Sequence, residues 1–491
     1  MKRIPVFLFL SVIVCLYSCA VNKHYSPLQK YPRKALQEDY LLLKHILEAK
    51  HPSLYWYTPK DSMDWYFSKY YQAIGDSMNE LQFVWQVLSP MVDKIHCGHT
   101  SVGMSRAYVK WSEGKRFPSF PLFFKVWNDS MAVTGNLNRK DSLFKRGTLV
   151  TSINGVPNKK IIEKMFDHLP EDGYANNINY IRISSNFPYF HRNIFGISKK
   201  YNITYIDSTG QEKSDTLSLY TVPADSVKKD SIARIEKKKA PKQKYSLRRH
   251  RSLDIDSSGK YAVMTLNTFN AGRLNGFFRR SFRTLRKKQI TNLVIDIRSN
   301  GGGKVALSTK LTRYISKKPF RVADSLFANT GTVAPYTRYI KGKWLNNLEL
   351  FFISRKMPDG KFHIRHMEKK RYQPKKHNGF KGDVYVLTNG PTFSASSLFC
   401  NTVKGQPGIT LVGEETGGGW YGNNGILIPD IILPNTKTRV RLPLFRIVQY
   451  NHIAEKGTGV IPDIYIPTSY DALMKGYDKK MQVVREMILK K

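Results

Sequence analysis

Beyond Lys260 the chain alternates short, apolar, β-branched runs with longer amphipathic ones, and this alternation restricts the fold more than any other feature. Tyr261 to Phe269 reads as strand, Leu274 to Arg286 as helix, Asn292 to Ile297 as strand and Val305 to Ile315 as helix. The order resumes with strand Asp383 to Leu387, a helix after Phe393 and strand Gly408 to Val412. Such a succession folds as an α/β layer with largely parallel strands, whose carboxyl-end loops collect ligands.

The segments before it have a different character. Residues 34–112 carry apolar side chains at helical spacing, as in Tyr40-Leu41-Leu42-Leu43 with Ile46-Leu47, and predict an N-terminal helical unit. Residues 113–222 hold short β-rich runs separated by Asp-Ser and Thr-Gly pairs and predict a small β-rich domain. Residues 223–258 are expected to form a basic linker. Within them 226–251 hold 11 Lys or Arg against Asp230 and Glu236, too little apolar content to order a segment, and suited to tethering on anionic lipid or polysaccharide. The α/β core then spans 259–470, and 471–491 reads as a C-terminal helix.

At the amino terminus Lys2 and Arg3 precede a 13-residue apolar run, Ile4 to Leu16. That is shorter than the ~20 residues of a membrane span and suits a secretory signal. Leu16-Tyr17-Ser18-Cys19 resembles a bacterial lipoprotein signal, with 1–18 removed, Cys19 lipid-modified and 19–33 a tether. The mature body is therefore expected in the cell envelope, membrane-anchored and facing the periplasm. The formal charge, +42 for the whole chain and +40 without Lys2 and Arg3, suits an anionic surface, but export sets nucleic acid aside as a partner. Four cysteines, Cys15, Cys19, Cys97 and Cys400, are too few and scattered for a disulfide scaffold.

Three segments carry chemistry. Strand Leu293 to Ile297 runs through Arg298-Ser299-Asn300 into Gly301-Gly302-Gly303 at a helix start, where exposed amides suit an anion or a developing oxyanion. A phosphate loop is the rival, but Val305 follows Lys304 where Ser or Thr is required. Strand Val384 to Leu387 runs into Thr392-Phe393-Ser394-Ala395-Ser396, which places a serine at a strand-to-helix corner, as nucleophile or as plain helix cap. His96-Cys97-Gly98-His99 supplies too few ligands at the wrong spacing for zinc, so no metal is expected; a single histidine suffices as general base. Gly417-Gly418-Gly419-Trp420-Tyr421-Gly422 satisfies G-x-G-x-x-G, yet a strand-like run and not a helix follows, which excludes a dinucleotide fingerprint.

Together these segments resemble the C-terminal-processing (tail-specific) and tricorn-like serine peptidase family. The resemblance also draws on Arg146 to Gly155, read as PDZ-like, on Leu411-Val412-Gly413-Glu414, and on Gly459-Val460-Ile461-Pro462-Asp463. It implies a crotonase- or Clp-like α/β catalytic core with a PDZ-like domain at 113–222. It also implies Ser394 as nucleophile and Gly301, Gly302 and Ala395 as the oxyanion hole. The tail-specific branch has a lysine 25 residues after the nucleophile, where this chain has Gly419, so a Ser-Lys dyad is contradicted. The tricorn-like branch uses a histidine, matched by His99. It also has a serine beside that histidine, where Gly98 stands, and a distal glutamate, matched by Glu455; a solvated loop acid is the other reading of Glu455. The function implied is an exported, lipid-anchored serine endopeptidase without cofactor, acting on peptides or unfolded protein tails. The alternative is an inactive binding protein on the same fold for peptides or hydrophobic ligands.

Overall fold

The computed structural model describes residues 25–222, 247–451 and 453–490. The signal segment, Cys19 and residues 223–246 of the basic linker lie outside the described residues.

The α/β layer is a six-stranded sheet in the spatial order Arg251–Ile255, Tyr261–Leu266, Asn292–Asp296, Asp383–Thr388, Ile409–Gly413, Ile464–Tyr465. Every neighbouring pair is parallel except the first. The middles of the central strands, Leu293-Val294-Ile295 and Val384-Tyr385-Val386-Leu387, are apolar without alternation because both faces are covered. Leu293, Ile295, Val384 and Val386 pack with Phe278, Leu311 and Phe399 from helices Leu274–Lys287, Val305–Ile315 and Ala395–Val403. Val294, Tyr385 and Val412 pack on the other face with Met481 and Val484 of helix Lys479–Leu489. The edge strand Arg251–Ile255 falls where the sequence suggested linker; its Leu253 and Ile255 pack against the core, and of the basic run only Arg251 lies in it. The expected single C-terminal helix is two, Tyr470–Lys475 and Lys479–Leu489, broken at Gly476 with φ 69°.

A second, antiparallel sheet built from Ala323–Ala328, Arg355–Lys356, Phe362–His363, Gly422–Ile426 and Phe445–Gln449 was not legible in the sequence. It shares one core with the N-terminal helices Arg33–Lys50 and Lys60–Gln72. There Leu43, Leu47, Phe67 and Met91 pack with Leu326, Leu442 and Ile447. The helical unit is therefore one wall of this second sheet, as an amphipathic helix with an apolar stripe requires a partner. The β-rich domain has its own core, in which Phe120, Phe124, Ile153, Phe187 and Ile203 meet.

Candidate active site

Strand Asp383–Thr388 ends in Asn389-Gly390-Pro391-Thr392-Phe393, and helix Ala395–Val403 begins directly after Ser394. This corner is tied to the loop after the neighbouring strand. Thr392 Oγ1 donates to Ile297 O at 3.1 Å, and Phe393 N donates to Asn300 O at 3.1 Å. Held between strand and helix, Ser394 takes φ 56° and ψ −121°, a conformation that a residue with a Cβ rarely adopts. Strain of this kind at a strand-to-helix turn is how a serine is lifted clear of the backbone for attack.

The glycine loop lies against this serine. A Cβ on Gly302 would stand 2.8 Å from Ser394 Cβ and 2.9 Å from Ala395 N, and φ there is 97°, so only glycine fits. Buried Asn300 shapes the loop, its Nδ2 donating to Leu266 O at 3.0 Å and its Oδ1 accepting from Gly302 N at 2.9 Å. Of the amides expected in an oxyanion hole, that of Gly302 is thus engaged inside the loop. Gly301 is exposed, and Ala395 N–H stands beside Ser394 at a helix start, where first-turn amides lack intrahelical acceptors.

His99 reaches the same spot from the N-terminal unit. Its ring lies over Phe393, with centroids 4.7 Å apart. Nε2 of His99 and Oγ of Ser394 each lie 3.2 Å from one point, the place a Cβ on Gly425 would occupy. They flank that point without bonding, since among the described residues neither ring nitrogen of His99 has a hydrogen-bond partner.

The carboxylate behind the imidazole is one that sequence reasoning missed. Asp172 is 2% exposed, and its Oδ1 lies 3.8 Å from His99 Nδ1. It accepts from Gly98 N at 2.8 Å and from Gly419 N at 3.2 Å. These are the two glycines at which the sequence departs from the branches it resembles. A Cβ on Gly98 would stand 2.7 Å from the Phe393 ring, and one on Gly419 would stand 2.4 Å from Gly422 O. Each glycine therefore lets backbone approach Asp172 where a side chain has no room. Glu455 is placed differently: it is exposed, on the loop leading to Gly457. The only local signal for Asp172 is the Asp172-Gly173 turn pair. Gly173 has φ 67° and donates its N–H to His96 O at 3.0 Å, which fixes the turn against the histidine segment.

The side chains of that segment diverge. His96 Nδ1 lies 3.1 Å from Glu171 Oε1, while Cys97 accepts from Asn424 Nδ2 at 3.2 Å, its thiol pushed up to about 11 by burial. Among the described residues no group of three or more His, Cys, Asp and Glu is arranged to hold a metal ion. The loop Gly417 to Gly422 leads into strand Gly422–Ile426 and no helix.

Residues 260–466 match the model of peptidase family S41. They form an S41 serine-type peptidase domain. The S41 domain contributes Ser394, Ala395 and the glycine loop, whereas His99 and Asp172 arrive from chain that precedes it. Similar solved structures include mature CPAF, at 14% identity and a TM-score of 0.62, covering 93% of this chain and 98% of that one. Mature CPAF complexed with lactacystin is similar at 14% identity and a TM-score of 0.61, covering 94% and 99%. At such identity the likeness is one of fold, the Clp-like α/β core with its additional domains. No curated protein is matched by the sequence.

Proposed function

We propose that this protein is an exported, lipid-anchored serine endopeptidase that cleaves peptides or unfolded protein tails through an acyl-enzyme. The observation that carries this reading is the convergence of His99 Nε2 and strained Ser394 Oγ on one point above a helix N-terminus. His99 takes the Ser394 proton as Oγ attacks the scissile carbonyl carbon. The resulting oxyanion forms beside Ala395 N–H, where the aligned first-turn amides favour negative charge. Collapse expels the amine, which receives its proton from His99, and water activated by the same imidazole releases the acid. Asp172 is a positioning residue: its carboxylate faces Nδ1 and selects the tautomer that leaves Nε2 free to accept. Because the two groups are not bonded without substrate, a small turn of the Ser394 or His99 side chain precedes proton transfer, as is common in unliganded hydrolases.

The PDZ-like domain suits gripping an extended substrate strand. Lipid attachment at Cys19 and a periplasm-facing place in the envelope rest on the amino-terminal sequence. The test is hydrolysis of a disordered peptide by the mature chain lacking the lipid. Ser394→Ala is expected to lower kcat by at least a thousandfold, and a variant that cut as fast as the parent would remove the reading.

A further inference from the structure

Two cavities meet end to end beside the active site. The inner one, about 410 Å³, is lined by Gly98, Ser101, Trp85, Phe190 and Arg441. The outer one, about 700 Å³, is lined by Lys115, Phe117, Arg192 and Tyr220 and reaches the β-rich domain through Phe123 and Leu137. Met104 and Tyr189 border both, so the pair forms one crevice that begins at Gly98, the neighbour of His99.

The walls are aromatic and cationic, and among the described residues no aspartate or glutamate lines either cavity. Arg192 is laid over the rings of Phe117 and Tyr189, with its guanidinium carbon 4.8 Å and 5.8 Å from the centroids, and Lys115 stands 3.9 Å over Trp111. Rings hold these cations in place but leave their hydrogen-bonding capacity for a ligand. Arg182, which also lines the inner cavity, is already engaged by Pro170 O at 2.6 Å and Asn179 Oδ1 at 2.9 Å, and serves the wall alone.

We infer that this crevice is a substrate subsite for a peptide segment bearing acidic side chains, which it holds while the neighbouring bond is cut. The inference rests on the peptidase reading above and names its substrate class. A surface cation contributes little alone, but several facing one bound chain in a partly enclosed crevice select by charge.

The test compares two peptides that share a scissile segment and end in either four Glu or four Gln, each with a free or an amidated C-terminus. Binding is read by fluorescence anisotropy on the Ser394→Ala chain, and kcat/KM on the active chain. The Glu peptides are expected to bind at least tenfold more tightly, whatever the terminus, with the ratio falling as salt rises. The ratio should collapse in Lys115→Glu/Arg192→Glu, persist in Lys115→Arg/Arg192→Lys, and persist when Lys369 and Lys376, which line neither cavity, are changed to Glu. Equal binding of Glu and Gln peptides overturns the inference, as does a ratio that survives the crevice reversal. A preference that follows the free terminus instead overturns the assignment to side chains. Charge-selective binding by a chain that cleaves nothing would sink the peptidase reading and leave the subsite standing.

Discussion

Asp172 is where the catalytic account is most exposed at the scale of single residues. Asp172→Asn retains the shape of the side chain but presents an amide N–H₂ to one of the two glycine amides and removes the charge facing His99 Nδ1. We expect kcat to fall by about 10²–10⁴-fold with KM little changed, and its pH profile to move; a profile and kcat like the parent's would leave Asp172 a purely structural acid. Gly425→Ala tests the same geometry from the other side, because its methyl carbon would stand 3.2 Å from both Nε2 and Oγ. A wedge there should cost about a hundredfold in kcat while the unfolding midpoint stays near that of the parent. Full activity would mean that the two groups do not meet at that point. The strand-to-helix serine corner and the glycine loop were legible as local patterns, while the choice of Ser394 and His99 within their segments came from the family resemblance. Asp172 was not, since only folding brings it to a histidine 73 positions earlier in the chain.

Between elements, the joint that most directly fixes the N-terminal wall is Asp39, fully buried in helix Arg33–Lys50. It accepts from Asn435 N at 2.9 Å, Thr436 N at 2.8 Å and Thr436 Oγ1 at 2.7 Å, pinning the helix to the turn that joins strands Asp430–Ile432 and Arg439–Arg441. Asp39→Ala strands those donors and should cost about 2–3 kcal/mol in urea unfolding with an unchanged slope; a loss below about 0.5 kcal/mol, the range of an ordinary surface change, would show that the joint contributes little to stability. The parallel strands were readable because continuous apolar runs have few other homes. The antiparallel sheet was not: Arg355–Lys356 and Phe362–His363 are too short to show a period, and Gly422-Asn423-Asn424-Gly425 is strand only because its neighbour Phe445–Gln449 makes it so.

For the whole molecule, the core shared by the histidine-bearing wall and the second sheet also takes in Leu398 of the helix that follows Ser394, so wall and serine belong to one body, and its stability should carry a pH signature. Asp93 lies in that wall, 3% exposed, with its carboxyl pushed up to about 7 by burial and then by nearby Glu171. A folded value above the ordinary carboxylate range means that the native state binds the extra proton. This contribution is therefore complete below about pH 4 and is lost as pH rises through about 7. Asp93→Asn should remove that loss, so that the variant gains on the parent between pH 5 and pH 8 in urea unfolding. A difference constant across that range would show that Asp93 is ionised throughout. The central claim, that this body brings an imidazole from one wall to a hydroxyl on the other, is tested most directly by labelling the folded chain with a fluorophosphonate and mapping the modified peptide. The account predicts a single adduct on Ser394, lost in His99→Ala. A folded parent left unlabelled at Ser394, or a His99→Ala chain labelled as fast as the parent, would contradict it.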